Sequence, residues 1–320
     1  SAEDCQLQSM PDASPSKWHL AHTTWFFETF LLERFEPDFR PFDAAFRVLF
    51  NSYYQGVGAQ HPRAQRGLLS RPTLEAVLAW RRQVDARMQA QMATPDPEWQ
   101  ALLQLGLNHE QQHQELIVTD IVHAFWCNPL LPAYLAGDAP ALRSGVEPPA
   151  VRWLPLPGGV TTVGHRGAGF AFDNETPAHQ VLLPPFLIAD RLVTCGDYTL
   201  FIADGGYRRP DLWLSDGWAA VQAQGWRAPA YWLAPGDPRA PSEHWQVFGV
   251  HGVQPLDAAA PVAQLSFYEA AAYAEWAGAR LPTEFEWEAA YGAPKITQME
   301  GEVWQWTRSS YDPYPGFRPL

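Results

Sequence analysis

Two histidines four positions apart, His109 and His113, are the residues of this sequence best placed for chemistry. On an α-helix this spacing puts both imidazoles on one face, about one turn apart. Two nitrogens so placed can hold one metal ion, and imidazole suits iron, zinc, copper or nickel. Such a pair can also be two solvent-exposed polar side chains. Here an apolar helical pattern surrounds the pair, and burying an imidazole without a hydrogen-bond partner or metal ion would cost free energy. The pair therefore predicts a metal site that needs a further ligand from a facing element.

The same segment also reads His-Glu-x-x-His, the pattern of zinc peptidases, in which Glu110 would be the general base. The longer form of that motif has a glycine and a histidine three and six positions after the second histidine. This chain has Leu116 and Thr119 there. A zinc metallopeptidase is therefore an alternative and not the leading interpretation.

Helical patterns dominate the N-terminal half and would position these side chains. A first helix is predicted over residues 17–32 with Ser16 as its N-cap, and a second over about 73–92. The third carries the histidine pair, because no proline falls within residues 98–128. Residues 51–58 form a Gly-bearing aromatic loop of the kind that contacts substrates. Three or four long helices with short links predict an up-and-down bundle, whose metal ligands come from facing helices.

The second half of the chain has a different pattern. Residues 137–149 are rich in Ala, Pro and Gly and predict a linker. Beyond them, short apolar runs alternate with turn residues, which is typical of short strands. Strands are predicted over 158–164 and 181–188, helices over 195–203 and 266–278, and a mostly irregular, aromatic-rich region over 205–261.

Length, composition and charge narrow the class of protein. A chain of 320 residues with 47% hydrophobic residues can hold two globular domains. The net charge of −13 argues against a nucleic-acid partner, because such proteins need a basic surface. Cys5, Cys127 and Cys195 are too few and too scattered for a disulfide framework or a cysteine zinc site.

No membrane contact is expected from this sequence. Its apolar runs are all shorter than a membrane span, and its N-terminal residues lack the pattern of a signal peptide. We therefore expect a cytoplasmic location.

The motifs of both halves together resemble one enzyme family. The first half resembles the DinB-like bundle of the ergothioneine-biosynthesis sulfoxide synthases, over residues 14–28, 51–54 and 109–120. The second half resembles the formylglycine-generating-enzyme, or C-type-lectin-like, domain of the same enzymes, over residues 158–160, 174–179, 185–188, 280–288 and 301–307. The resemblance covers nearly the whole chain, and selenoneine synthase is a close relative within it.

The resemblance implies an α+β fold with two domains. An N-terminal DinB-like four-helix bundle is expected over residues 1–140, and a formylglycine-generating-enzyme/C-type-lectin-like domain with little regular secondary structure over 150–320. The family pattern has more residues between Ala290 and Gly301, and it continues beyond Leu320. We therefore expect the second domain to be incomplete at its C-terminus.

The resemblance also implies a mononuclear non-haem Fe(II) bound by His22, His109 and His113, with O2 as co-substrate. His19 is the alternative third ligand, and is otherwise expected beside the site. The implied substrates are small molecules: hercynine, the trimethylated betaine of histidine, and a thiol or seleno-sugar donor. The implied reaction forms a C–S or C–Se bond at the imidazole C2 of hercynine.

The resemblance also implies roles in this reaction for two tyrosines and a glutamine. Tyr53 and Tyr54 match a tyrosine pair near the iron, and we expect Tyr53 to face the iron and donate a proton. The alternative is that both tyrosines only pack. Gln112 matches a substrate-contacting glutamine, although a helical glutamine is usually a solvated side chain.

Four further residues could bind substrates. Arg63 and Arg66 could clamp a donor carboxylate, the alternative being surface arginines. Trp304 or Trp306 could face a quaternary ammonium group. Cys195 stands alone, so formylglycine-generating activity, which uses paired cysteines, is not expected. A non-catalytic lectin-like binding module remains the non-enzymatic alternative.

Overall fold

The computed structural model describes residues 1–92, 96–137 and 150–319. The chain divides into two compact units, and the first consists of Ser1–Gly137 with Gly249–Gly252. The second consists of Asp138–Phe248 with Val253–Leu320. The predicted linker lies outside the described residues from position 138 onward, and the predicted domain ranges stay predictions.

Helices build the described part of the first unit. They are α1 (Ser16–Phe27), a π-helical segment (Glu28–Leu32), α2 (Glu33–Phe35), α3 (Phe46–Leu49), α4 (Leu74–Gln91) and α5 (Pro97–Trp126), with 3-10 turns at Asp4–Gln6 and Arg63–Leu68. The first three are continuous, so residues 1–92 and 96–137 contain three long helical runs, within the three or four that the helical patterns predicted. The DinB-like identity of this bundle remains a prediction.

Helix α1 is the buried centre of the first unit. Ten of its twelve residues are buried, which is typical of a helix covered on all sides. It packs against both α4 and α5, and its aromatic side chains join those of the neighbouring elements in one core. The prediction that Ser16 caps this helix is wrong, because Ser16 is its first residue and Pro15 occupies the N-cap position without a side-chain cap bond.

The two other long helices begin as their sequences predict. The Thr73 hydroxyl accepts a hydrogen bond from the Ala76 amide at the start of α4. Asp96 accepts two amide hydrogen bonds at the start of α5, and Pro97 occupies the first turn, where its missing N–H costs nothing. A Cβ at Gly106 would lie 2.5 Å from the Phe27 ring, so glycine allows α5 to pack close to the first helical run.

The second unit mixes short helices with three small sheets. Its helices are α6 (Cys195–Ala203), α7 (Ser215–Gln224), α8 (Phe267–Trp276) and α9 (Glu284–Ala290), and 3-10 turns lie at Asp173–Glu175, Gly206–Arg208 and Pro210–Leu212. Its strands are β1 (Trp153–Leu156), β2 (Gly159–Val163), β3 (His179–Leu183), β4 (Phe186–Ala189), β5 (Trp232–Leu233), β6 (Gln246–Gly249) and β7 (Gly252–Pro255). The sheets are β1–β4, β2–β3 and β5–β6–β7, and the first two are antiparallel pairs.

Part of the second unit departs from the predicted elements. The apolar run 181–188, predicted to contain short strands and turns, holds the end of β3 and the start of β4, which Pro184 and Pro185 separate because they lack N–H donors. The region 205–261 contains α7 and a three-stranded sheet, although most of its residues lie outside helices and strands, as predicted. Helix α9 also escaped prediction. Helices α6 and α8 lie where they were predicted, and among the described residues no helix is both long and apolar enough to cross a bilayer.

Candidate metal centre

Three imidazoles converge inside the first unit. His22 lies on α1, and His109 and His113 lie one turn apart on α5. Each offers one ring nitrogen, and these atoms all lie within 4.8 Å of one another. Within residues 1–92, 96–137 and 150–319, no other group of three or more His, Cys, Asp or Glu side chains is arranged this closely. The predicted ligand set is therefore brought together by the fold.

The His22 ring is fixed by a backbone carbonyl. Its Nδ1 lies 2.6 Å from the carbonyl oxygen of Phe50, so Nδ1 carries the proton and donates it to this bond. Because a neutral imidazole has one N–H, its Nε2 keeps a free lone pair. His22 is 1% exposed, so its orientation is also fixed by packing.

A chain of hydrogen bonds fixes the His113 ring. Its Nδ1 lies 2.8 Å from Nδ1 of His19, and Nε2 of His19 lies 3.0 Å from Oδ2 of Asp120. The same carboxylate oxygen accepts the backbone amide of Ser14 at 2.8 Å. His19 is therefore engaged at both nitrogens, beside the histidine cluster and not in it.

His109 is the exception among the three. Its Nδ1 is buried, and no described residue makes a hydrogen bond to it. Its ring packs against Phe26, with the ring centroids 4.9 Å apart. A buried polar atom without a partner is uncommon in folded proteins, and binding of a metal ion is one way in which such a nitrogen is satisfied.

Burial keeps all three imidazoles neutral. It lowers the pKa of His22 to about 3 and the pKa of His113 to about 2, and the neighbouring histidines add to both effects. Burial alone lowers the pKa of His109 to about 4. A histidine must be neutral to bind a metal, so the fold holds these side chains in the ligand form at neutral pH.

An aromatic stack with a cation at its end holds the His22 ring. Trp18 stacks on His22 with ring centroids 4.7 Å apart and an interplanar angle of 11°, and Trp25 stacks on it at 5.5 Å and 14°. The guanidinium of Arg66 lies 3.4 Å from the centroid of the Trp18 ring and donates to the hydroxyls of Ser14 and Ser52. Arg66 is 3% exposed, so it is not the surface arginine of the alternative interpretation.

The structure reverses the predicted preference between the two tyrosines. Tyr53 is 71% exposed, and its hydroxyl accepts a hydrogen bond from Arg63 at 3.2 Å. Tyr54 packs inward, with its ring 6.3 Å from His22 and 5.4 Å from Trp25. Burial raises the pKa of Tyr54 to about 12, so its hydroxyl stays protonated. The structure therefore brings Tyr54 and not Tyr53 near the histidines, and the catalytic role of either tyrosine stays a prediction.

Asn51 fixes the direction of this loop. It is fully buried, and its side-chain amide donates to the carbonyls of Tyr54, Gly58 and Ala59. Its side-chain oxygen accepts the Tyr54 amide at 3.2 Å. One asparagine thus closes the loop and turns Tyr54 toward α1.

The other predicted substrate-binding residues are exposed side chains. Arg63 is exposed and donates to the backbone carbonyl of Asp12, and the Gln112 side chain is exposed on α5. In the second unit, Trp304 is 87% exposed and Trp306 is 50% exposed, with the Trp306 indole donating to the carbonyl of Leu265. Their substrate-binding roles stay predictions.

Glu110, the general base of the peptidase alternative, is already engaged. Its carboxylate accepts a hydrogen bond from Arg81 of α4 at 2.5 Å, and Arg81 also binds Asp85 and Thr23. This carboxylate would have to leave its contact with Arg81 before it could act as a general base. This contact disfavours a zinc peptidase.

Sequence analysis missed Asp120 and the Phe50 carbonyl. Asp120 lies seven positions after His113, two turns further along the same face of a helix, and this spacing could have identified it. The Phe50 contact uses a backbone atom, so no residue type could have indicated it.

Comparison with known proteins connects this geometry to a family. Residues 146–298 match the sulfatase-modifying factor enzyme 1-like domain. The chain is 32% identical to the hercynine oxygenase of Mycolicibacterium smegmatis, over 99% of this chain and 81% of that protein. It is 31% identical to the hercynine oxygenase of Mycobacterium tuberculosis, over 99% of this chain and 82% of that protein.

A second similarity is confined to the C-terminal half. The formylglycine-generating enzyme of Streptomyces coelicolor is 35% identical over 50% of this chain and 52% of that protein. Cys195 is a buried free cysteine, and among the described residues no second cysteine is paired with it. The absence of formylglycine-generating activity stays a prediction.

Proposed function

This chain belongs to the hercynine oxygenase family, and from that membership we propose that it is a non-haem Fe(II) enzyme that uses O2 to form a C–S or C–Se bond at the imidazole C2 of hercynine. The observation that carries the proposal is the convergence of His22, His109 and His113. A three-histidine set leaves coordination positions open for substrates, whereas a structural metal site is closed.

The donor set fits a divalent iron ion. Two of the rings have one nitrogen engaged in a hydrogen bond, which leaves the other with a lone pair for a metal. The third has a buried nitrogen without a described partner. All three are kept neutral by burial, so binding a cation does not first require deprotonation.

Bound Fe(II) would supply O2 activation and a common anchor for the reactants. The overall exchange balances for a thiol donor. Hercynine gives up the C2 hydrogen and the thiol gives up its hydrogen, while one oxygen atom ends on sulfur and the other leaves as water with both hydrogens. The same exchange at a selenol would give the C–Se bond.

The residues of this chain would orient the reactants, exclude water and supply a proton. The Trp18, Trp25 and Phe26 rings pack around the histidines and limit the access of water to that side. The Tyr54 hydroxyl, protonated and beside His22, would deliver a proton to reduced oxygen. Water exclusion and proton delivery would both use side chains that already pack near the histidines.

The donor class depends on the arginines. A donor such as cysteine or γ-glutamylcysteine has a carboxylate that needs a cation, whereas a seleno-sugar does not. Arg66 already binds two hydroxyls and covers Trp18, although its buried Nε has no described partner. Arg63, which is exposed and contacts the Tyr53 hydroxyl, is freer to move toward a carboxylate.

The decisive experiment is turnover of hercynine in air by the Fe(II)-loaded protein. Cysteine, γ-glutamylcysteine and a seleno-sugar are offered separately and then in competition, and the products are identified by mass spectrometry. We expect a C2-linked product with at least one donor, and no product without Fe(II) or O2. His22→Ala should lose both iron and turnover.

A surface histidine serves as the matched control. His61→Ala changes the same residue type in the same unit, where the hydrogen bond described for the ring is to the nearby Gln65 carbonyl, and it should keep iron and activity. Iron retention and normal turnover by His22→Ala would remove that residue from the site. Stoichiometric zinc with peptide hydrolysis that depends on Glu110 would instead support the peptidase.

A further inference from the structure

We propose that His19 and Asp120 are positioning residues that fix the tautomer and direction of His113, so that its Nε2 is the nitrogen offered to the metal. This inference rests on the proposed metal centre and deepens it. It is carried by the hydrogen-bond chain from Asp120 through His19 to His113, with bonds of 3.0 Å and 2.8 Å.

When His19 is neutral, the chain of donors and acceptors has one consistent direction. A carboxylate only accepts hydrogen bonds, so His19 Nε2 must donate to Asp120. A neutral His19 then has a lone pair at Nδ1, which can only accept. The proton in the contact between the two histidines therefore belongs to Nδ1 of His113. His113 is left with its lone pair at Nε2.

Asp120 is itself held in place for this task. Its Oδ2 accepts the Ser14 amide at 2.8 Å as well as the His19 ring, and its side chain is only 13% exposed. His19 is 3% exposed and lies edge-on to the neighbouring Trp18 ring at 79°. Both residues are therefore in fixed positions that leave little freedom for another arrangement.

The three ligands differ in how they are supported, and this makes the proposal testable. His22 is oriented by the Phe50 backbone carbonyl, which side-chain substitution cannot remove. His109 has no described hydrogen bond at Nδ1. Among the hydrogen bonds described for the three ligand rings, only the one at His113 comes from another side chain, so this support can be removed by substitution without altering a ligand.

The experiment compares four variants of the full chain. His19→Phe keeps the ring volume and removes both bonds, and Asp120→Leu removes the acceptor. Asp120→Asn keeps an acceptor without charge, because the Ser14 amide selects the amide oxygen at the Oδ2 position. Thr24→Val is the matched control, since Thr24 is fully buried in α1 and bonds only to the Leu20 carbonyl.

The readouts are independent of turnover. Affinity for Fe(II) without oxygen, and for Co(II), is measured by chelator competition, and the visible spectrum of the Co(II) form reports ligand geometry. We expect His19→Phe and Asp120→Leu to weaken metal binding about 10–100-fold and to alter the spectrum. Asp120→Asn should stay within about threefold of wild type, and Thr24→Val should match it. Melting of the metal-free variants shows whether each remains folded.

Three results would overturn the proposal. One is unchanged affinity and spectrum in folded His19→Phe, or in Asp120→Leu if the first variant does not fold. Another is equal weakening by Asp120→Asn and Asp120→Leu, since the charge and not the tautomer would then matter. If wild type binds neither ion, the proposed metal centre and this inference both fail. Metal binding without any hercynine turnover would leave the inference standing and contradict the proposed function alone.

Discussion

At the scale of single residues, Tyr54 lies near the three histidines, with its ring centroid 6.3 Å from that of His22. Its ring packs against Trp25 and Phe30 beside His22, and burial raises its pKa to about 12. We expect Tyr54→Phe to retain folding and iron, because the ring stays and only the hydroxyl is lost. The rate of C–S or C–Se bond formation should fall roughly 100-fold, or O2 should oxidise the donor without coupling it to hercynine. Single-turnover product analysis measures both outcomes.

Tyr53→Phe is the matched control from the adjacent position. It removes the same atom from a ring that is 71% exposed and bonded to Arg63, so we expect a wild-type rate and product ratio. The reverse result, with Tyr53 required and Tyr54 dispensable, would contradict the assignment.

Residue types and local spacing predicted some of these residues but not their directions. The pair His109 and His113 was predictable because helical spacing alone puts both on one face. The orientation of Tyr54 was not, because adjacent loop residues point in different directions and Asn51 decides which one turns inward. The hydrogen bond to the Phe50 carbonyl could not be predicted either, because every residue has a backbone carbonyl.

At the scale of elements, the start of α9 shows how a sequence motif becomes a stable structure. Thr283 accepts the Glu286 amide, and Glu286 accepts the Thr283 amide in return, which is a capping box. Arg280 donates two hydrogen bonds to the same carboxylate, at 2.6 and 2.7 Å. The hydrogen bonds from Arg280 are the main reason that the pKa of Glu286 lies below its usual value.

This lowered pKa gives a pH-dependent contribution to stability. A carboxyl group with a lower pKa in the folded state stabilises the fold above its unfolded pKa, about 4.5, and loses that effect as pH falls through the folded pKa. Glu286→Gln keeps the cap and removes the charge. We expect it to lower the free energy of unfolding by about 1 kcal/mol or less at pH 7, since Arg280 is 47% exposed. The difference from wild type should shrink below about pH 4.

Urea unfolding at pH 7 and at pH 3 measures this difference. Glu275→Gln is the control, because Glu275 is an exposed glutamate on α8, and its substitution should change little at either pH. An equal loss of stability by Glu286→Gln at both pH values would show that the charge is not responsible.

Elements with strong local signals were predicted, and those that depend on distant packing were not. Helix α8 has Ser266 as its N-cap and begins with a capping box, a motif that can be recognised in the sequence. Helix α7 was missed because it contains Gly217, a poor helix former whose missing side chain makes room for the Tyr268 side chain. A Cβ at Gly217 would lie 2.6 Å from that of Tyr268, so tertiary packing and not propensity selects the glycine.

At the scale of the whole molecule, the change in composition near residue 137 predicted that the chain has two domains. It did not predict which unit every segment belongs to. Gly249–Gly252, far along the chain, belongs to the first unit. No local pattern announces this, because membership depends on contacts between residues distant in sequence. Relationship to the hercynine oxygenases, in contrast, was accessible from motifs spread over both halves.

Stability of the molecule should respond to the metal. An ion that binds only the folded state raises the melting temperature by mass action, with about 2.7 kcal/mol gained at 100 times the dissociation constant. We expect Fe(II) without oxygen, or Co(II), to raise the melting temperature of wild type and to have little effect on His22→Ala. Calorimetry with increasing metal measures the shift, and His61→Ala, with its ligands intact, should behave as wild type. A shift in His22→Ala as large as in wild type would contradict the ligand set.

The positions of the three ligands along the chain have a further consequence. His22 and His109 lie 87 positions apart, while His109 and His113 share one turn. An ion held by all three would close a loop of that length. A permanent cross-link of this size would raise the free energy of the unfolded chain by about 4–5 kcal/mol, because it removes conformational entropy from that chain. Unlike a disulfide, this link can open whenever the ion leaves. The supply of metal would then set how long the loop stays closed, and with it the lifetime of the first unit against proteolysis.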